Sequence, residues 1–542
     1  MISAAKRPRH LSRAKAKRQV RGATLATIRR IIQRSSLIGL ISFLGWSLVF
    51  GIVYAQSPLY TSNQNLYFLH GLARAGFGYL NRDWVASLPE AMPVFSGLVT
   101  LTYMLFHGKA LFYLYYALVM GVYLWSMYGI MDMLFDLRRS KVRTLVFVAL
   151  FLAAHSAALR FLLSRLVDVD ATFLFEGGVA GQRILGQVFQ PSVFGVFLVL
   201  SIYLFLRKKP YLSLLPMMVA IYVHPVYLLS GALLTLAYMW MTFRESRSLK
   251  PALYLGLTTL LLVLPPLAYA IYMFSDPSKE ITRQALDILV NFRNPHHALI
   301  SDWFNWTVVV QMLVLLTGLY IIRKTRLFPI LVIITLGVVV LSVAQVASGS
   351  NWLALIFPWR VSILLVPTGT TILIAFAVTK IMDRLGDSRK VASWMIGGSL
   401  LLIAGLMSVG AIRFQIESAR QQADPARPVE EYVAAHKLPG DLYMVLPKMT
   451  DFRLVTGAQI FVDFESTPDR DSDVLEWYRR IKLIDWFYNG SPHPCQTLKD
   501  MAAQEGITHA VVLSNDAFTW CKHFPVVYDD EVYRIYLLTP GK

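Results

Sequence analysis

From Ser36 to Ile412 the chain is a succession of apolar stretches, most of them long enough to cross a bilayer. Nearly every joint that carries several Lys or Arg falls on the same side of that succession. Few folds satisfy such a pattern. Backbone in hydrocarbon must pair internally, so each stretch is expected to be a helix. Basic joints are retained in the cytoplasm, so their positions sort all other loops into inner and outer.

Eleven of the 52 Lys and Arg lie between Lys6 and Arg34, ahead of the first apolar stretch. Residues 1–35 are therefore read as a basic cytoplasmic tail. The first helix, about 36–55, exits, and 56–109 form a long outer loop. A helix over 110–135 returns to the cluster Arg138, Arg139, Lys141 and Arg143. Residues 144–163 exit, and 187–206 return to Arg207-Lys208-Lys209. The stretch 211–243 reads as a hairpin of two short helices breaking at His224-Pro225. Segments 252–274 and 306–322 go out and back, 328–347 exits, 360–379 returns to Lys380 through Lys390, and 391–412 exits last. The expectation is an α-helical polytopic membrane protein of about eleven spans, N-terminus inside and C-terminus outside. Pro93 to Phe106 is apolar enough to pass for a span, but counting it would throw Arg138 to Arg143 outside. It is read as an interfacial helix within the first outer loop.

Beyond Arg413 the composition becomes that of a soluble domain. Helical spacing at 428–436, 471–487 and 498–504 alternates with strand-like runs at 442–446, 460–464 and 509–513. A hairpin follows over 526–538, turning at Asp529-Asp530. Residues 413–542 are thus expected to form an extracytoplasmic α/β domain, and 36–412 the membrane domain. The two cysteines, Cys495 and Cys521, both fall in this region, as a disulfide or as two free thiols.

The formal charge of +19 does not indicate nucleic acid, because it sits in the tail and the joints with no reader motif beside it. It suits anionic membrane lipids instead. No phosphate-cradling loop, dinucleotide fingerprint or zinc spacing is present.

Groups able to do chemistry collect in the outer loops. The first carries Arg74, Arg82 and Asp83. A carboxylate there can act as general base while nearby Arg holds phosphate. In the plainer reading Asp83 pairs with Arg82 or caps the next helix. The second outer loop holds Asp168, Asp170 and Glu176, candidates for a second acid or a divalent cation (Mg or Mn). His224 marks the hairpin break. His296 and His297 lie in a late outer loop, and Arg360 begins a span at its outer end, where it must snorkel, pair or bind an anion.

With these residues on the page, the chain resembles the C-type (GT-C) integral-membrane glycosyltransferases, and is similar to poorly characterised bacterial multi-span proteins of that architecture. The resemblance rests on Gly71 to Arg74 through Arg82-Asp83-Trp84, Pro93 to Ser96, His224-Pro225, Pro295-His296-His297 and Phe357 to Arg360. In the tail it rests on Asp451 to Arg453, Phe461 to Phe464 and Glu476 to Arg480. It implies a polyprenyl-phosphate-linked sugar donor, inverting transfer to a glycan, lipid or protein acceptor, and a place in the cell inner membrane. It further implies that Asp83 is the first-loop acid that serves as catalytic base or orients the acceptor, and that Arg360 meets the donor phosphate. Residue chemistry adds Arg74, Arg82, His224, His296 and His297 as candidate substrate-binding groups. A polymerase or ligase of lipid-linked glycans, and a transporter or lipid flippase without chemistry, are the alternatives. The second predicts internal repeats and mid-span charges that the sequence does not show.

Overall fold

The computed structural model describes residues 37–274, 278–386, 388–514 and 521–538. The basic tail expected over 1–35 lies outside the described residues. Among the described residues seven helices are long and apolar enough to cross a bilayer, beginning with Leu37–Tyr54 and ending with Arg389–Gln422. An eighth crossing results if Lys141–Ala154 and Ala157–Leu166 act together, bent by 48° at His155-Ser156. Ser156 makes the restart, its hydroxyl accepting from the Leu159 amide at 3.0 Å. Three shorter apolar helices, Pro191–Leu206, Pro210–Val223 and Trp306–Ile322, fall where the sequence places spans. A total of eleven is reached only by counting these with the bent pair.

The basic joints gather at one end of the bundle. Arg326 pairs with Glu245 at 2.8 Å and donates to the Leu206 carbonyl at 2.8 Å, uniting three joints. Arg143 reaches Asp383 at 2.6 Å, joining two more. Toward the opposite end the core is aromatic, with Phe50, Tyr54, Tyr116, Phe151 and Phe189 fully buried or nearly so. Pro93–Phe106 is a 14-residue helix within the first loop, not continuous with Ala110–Phe135. It packs on Leu69–Arg74, where a Cβ on Gly71 would stand 2.6 Å from the Val99 Cβ.

The final membrane helix runs past Ile412 to Gln422, ten residues beyond the boundary drawn from composition. Its polar extension carries Glu417 between Arg413 and Arg420 at helical spacing, so charge there solvates the helix without ending it. The α/β unit begins with the helix Arg427–His436.

That unit is a five-stranded mixed sheet in the order β2-β1-β3-β5-β4. β1 (Leu442–Met444) pairs in parallel with β2 (Gln459–Ile460) and β3 (His509–Leu513). β5 (Tyr533–Leu537) runs antiparallel to β3 and to β4 (Val526–Asp529). The strand period of two divides the core: Ala510, Val512 and Tyr536 face the helices Asp471–Gly490 and Pro494–Glu505, while Val511 and Ile535 pack with Val429 and Val433 of Arg427–His436. The sheet is therefore buried on both faces. Cys495 and Cys521 are disulfide-bonded, with Cα atoms 5.3 Å apart.

The sheet unit is docked on the first loop by backbone as well as side chains. Gly78 and Gly457 meet with no room for a side chain, since a Cβ on Gly78 would lie 2.3 Å from the Gly457 oxygen. Both have positive φ, and the Tyr79 amide donates to the Gly457 carbonyl at 2.8 Å. Beside this contact Arg480 stacks over the Trp84 ring at 4.0 Å.

Candidate active site between the membrane bundle and the sheet unit

Asp83 does not stand at an open site. It caps the short helix Trp84–Ser87, Oδ1 accepting from the Val85 and Ala86 amides at 3.0 and 3.4 Å. Its other oxygen accepts from Arg453 Nε at 2.9 Å and the Ile460 amide at 3.2 Å. Arg453 also binds Asp463, and all three side chains are excluded from solvent. Both carboxylate oxygens are committed to protein donors and shielded from solvent. In this arrangement Asp83 clips the first loop to the sheet unit.

Other expectations divide similarly. Arg74 pairs with Glu90, which also accepts from Ser96, and Arg82 is exposed; neither lines the main cavity. Of the second-loop acids, Asp168 caps its own turn by accepting from the Asp170 amide, and Asp170 accepts from Asn305 at 2.9 Å. Glu176 forms a buried pair with Arg160 at 3.0 Å. The three serve different partners, and among the described residues no three His, Cys, Asp or Glu side chains converge as metal ligands.

The remaining candidates converge. His224, His296, His297 and Arg360 line one cavity of about 560 Å³, together with Tyr67, Arg293, Glu465 and Asp469. Local sequence explains each position. Pro225 forces His224 into extended backbone (φ −142°, ψ 100°), ending Pro210–Val223 and turning the ring between Tyr67 and Tyr227, at centroid distances of 6.2 and 5.6 Å. Its Nδ1 is shielded and unpartnered. Phe357 adopts left-handed backbone (φ 49°) before the 3₁₀ turn Pro358–Val361. This turn holds Arg360, which donates from Nε to Gln182 at 2.6 Å. Its two terminal nitrogens have no hydrogen-bond acceptor among the described residues.

Arg293 ends a π-helical turn, Ile288–Arg293, a local widening of the helix common at functional sites. It donates to the Thr467 hydroxyl at 2.8 Å and the Glu465 carbonyl at 3.2 Å, fastening the loop after β2 to the cavity wall. His297 Nδ1 lies 2.7 Å from the Ala180 carbonyl, which only accepts, so that nitrogen carries the proton and Nε2 is a bare acceptor. Burial, with His296 alongside, pushes His297 down to about 4, so it is neutral near pH 7.

Asp469 and Glu465 are the cavity's acids. The Asp469 Oδ2 accepts from the Ala91 amide at 2.8 Å, and its side chain is exposed at the cavity. Removal from bulk water, reinforced by Glu90, pushes it up to about 6. Such a carboxylate is ionised at neutral pH yet basic enough to take a proton. Arg293 is paired with the Glu465 carboxylate at 3.4 Å, so the site sets the Arg360 guanidinium and neutral imidazoles against the poised Asp469 carboxylate. Phosphate suits the guanidinium side.

Asp469 and Arg293 were not singled out by the sequence reading. Asp469 looks like a polar residue before a helix, and its hydrogen-bond partner is 378 positions away. The only local hint is Thr467-Pro468-Asp469, a turn in an otherwise regular α/β region.

A family described as a domain of unknown function (DUF6798) matches residues 425–484, a stretch that includes Arg453, Asp463 and Asp469. Among curated proteins none matches the chain. Among solved structures the chain is similar to the crystal structure of ArnT from Cupriavidus metallidurans bound to undecaprenyl phosphate. The identity is 12% and the TM-score 0.44, over 92% of this chain and 98% of that one.

Proposed function

We propose that this protein is an integral-membrane glycosyltransferase that takes a sugar from a polyprenyl-phosphate donor and works at the bundle end opposite the basic joints. By the charge rule that end faces away from the cytoplasm. The observation that carries the reading is the cavity itself. Arg360 presents two uncommitted guanidinium nitrogens, and Asp469, pushed up to about 6, shares the same space.

In the proposed step an acceptor hydroxyl attacks the anomeric carbon of the donor sugar. The new C–O bond forms as the bond from that carbon to the phosphate oxygen breaks, with inversion. The acceptor proton passes to Asp469, and the electron pair leaves with the polyprenyl phosphate. Arg360 and Arg293 meet the growing phosphate charge in a setting poor in water, where it is worth most. Neutral His224 and His297 add hydrogen-bonding capacity without competing for the phosphate as fixed charges. Acceptors are glycans, lipids or proteins on the same face, and the host membrane is the cell inner membrane.

The test is mass spectrometry of polyprenyl-linked sugars and surface glycans in cells lacking the protein, rescued by the native chain, Asp469→Asn or Asp83→Asn. A glycan restored by the native chain but not by Asp469→Asn at equal protein level supports the reading. Equal rescue by Asp469→Asn refutes it.

A further inference from the structure

A second chamber of about 290 Å³ adjoins the cationic cavity, and His296 and His297 border both. Its composition differs. Trp303, Phe173 and Val308 supply apolar surface, and Asp170, Asp302 and Asn305 supply planar polar groups. Trp303 is held by the Trp359 ring at a centroid distance of 5.2 Å. Its indole Nε1 is shielded from solvent and has no hydrogen-bond partner. A buried N–H without an acceptor is costly and calls for an explanation. A rotation of the ring toward the chamber would bring the N–H within reach of an incoming hydroxyl oxygen.

We infer that this chamber is a pyranose-binding subsite, with Trp303 as its platform. A pyranose ring offers an apolar C–H face and a rim of hydroxyls that both donate and accept. Flat aromatic surface matches the face, and carboxylate and amide groups match the rim. Asp302 keeps one carboxylate oxygen beyond the Ser301 hydroxyl bond at 3.0 Å, while the bond from Asn305 to Asp170 fixes the orientation of both. The shared histidine wall then places a sugar beside the phosphate position, which is the geometry a transfer needs. The inference rests on the transferase reading above, and the ring belongs either to the donor sugar or to a glycan acceptor.

The test is saturation-transfer NMR on the full chain in phosphatidylcholine nanodiscs, which contain no sugar. The probes are methyl pyranosides of glucose, galactose, mannose and N-acetylglucosamine, with farnesyl phosphate titrated separately. At least one pyranoside is expected to give a signal that Trp303→Ala abolishes. Trp303→Phe, which keeps a ring but removes the N–H, weakens it, and Arg360→Gln leaves it intact. Absence of signal from every pyranoside, or an unchanged signal in Trp303→Ala, overturns the inference. Farnesyl phosphate that fails to bind, or binds Arg360→Gln as well as the native chain, overturns the transferase reading instead. Farnesyl-phosphoryl glycoside of the bound sugar separates the sources. Tighter binding than farnesyl phosphate, lost in Trp303→Ala, assigns the ring to the donor, and equal binding assigns it to the acceptor.

Discussion

The guanidinium of Arg453 lies 2.9 Å from the carboxylate of Asp83, with both side chains shut off from water. The pair joins a loop that follows the first membrane helix to the sheet unit that follows the last. Asp463 and the Ile460 amide complete the arrangement. Desolvating two carboxylates around one guanidinium is expensive, so the cluster contributes little net stability while intact, yet losing Arg453 leaves two carboxylates stranded.

Arg453 keeps Asp463 when Asp83 is changed, so Asp83→Asn is expected to destabilise the docked state by about 1 to 3 kcal/mol, through its lost charge-assisted hydrogen bonds. Limited proteolysis of the sheet unit and thermal unfolding in nanodiscs read this directly. The surviving folded fraction retains its turnover per molecule. Asp469→Asn behaves oppositely, with a melting temperature at pH 7 no lower than the native chain's and no transfer. A variant of Asp83 that melts like the native chain but has lost turnover returns the acid role to the first loop.

Transfer is expected to rise through an acid limb near pH 6 as Asp469 ionises. Because Glu90 helps to hold Asp469 up, Glu90→Gln moves that limb to lower pH. The stability effect has the other sign. A carboxyl with a folded value near 6, against an ordinary 3.8, binds its proton more tightly when folded. Its stabilisation is complete below about 4 and fades as pH climbs through 6. A pH–rate profile of kcat/KM for the native and Glu90→Gln chains checks the first statement, and melting between pH 4 and 7 the second.

Arg360→Gln removes the charge that faces the cavity and leaves an amide able to reach Gln182. Affinity for a polyprenyl phosphate is expected to fall by about 1.5 to 3 kcal/mol, roughly 10- to 150-fold. Titration calorimetry with farnesyl phosphate measures it. Arg293→Gln shows the same loss together with a lower melting temperature, because Arg293 also fastens the Glu465–Thr467 loop.

The Cys495–Cys521 bridge closes a separation of 26 residues. Chain-entropy arguments put its removal at about 3 kcal/mol. A membrane-impermeant reductant applied to intact cells is expected to lower the melting temperature of the sheet unit. If the effect appears only after lysis, the sheet unit faces the cytoplasm and the proposed orientation is reversed.

The sequence made the membrane half legible because hydrocarbon imposes one strong requirement on every residue it contains. The break at His224-Pro225 and the short helix Pro93–Phe106 follow from that requirement and from charge placement. The strands around Tyr443 and Val511 were readable because burial on both faces leaves short continuous apolar runs, Leu442 to Leu446 and Ala510 to Leu513. Site chemistry was legible in part. Arg360, His296 and His297 are conspicuous because polar groups near a bilayer must have partners. Asp83 was conspicuous for the same reason, but its partner is another side chain. Nothing in the loop itself reveals that, because Arg453 belongs to a domain 370 positions away. Asp469 is ordinary in its own segment and acquires its character only from the cavity around it.

The separation between Asp83 and Arg453 also sets a schedule for biogenesis. At synthesis rates of about 5 to 20 residues per second, those 370 positions take roughly 20 to 70 s. Throughout that interval the first loop has left the ribosome, and the turn that receives Gly78 does not yet exist. The loop must wait with its acid hydrated and its glycine uncovered, and docking can only follow insertion of the final membrane helix. Closure of the cavity is thus the last event in assembly, and a chain stopped before Arg453 has every membrane helix but no enclosed site.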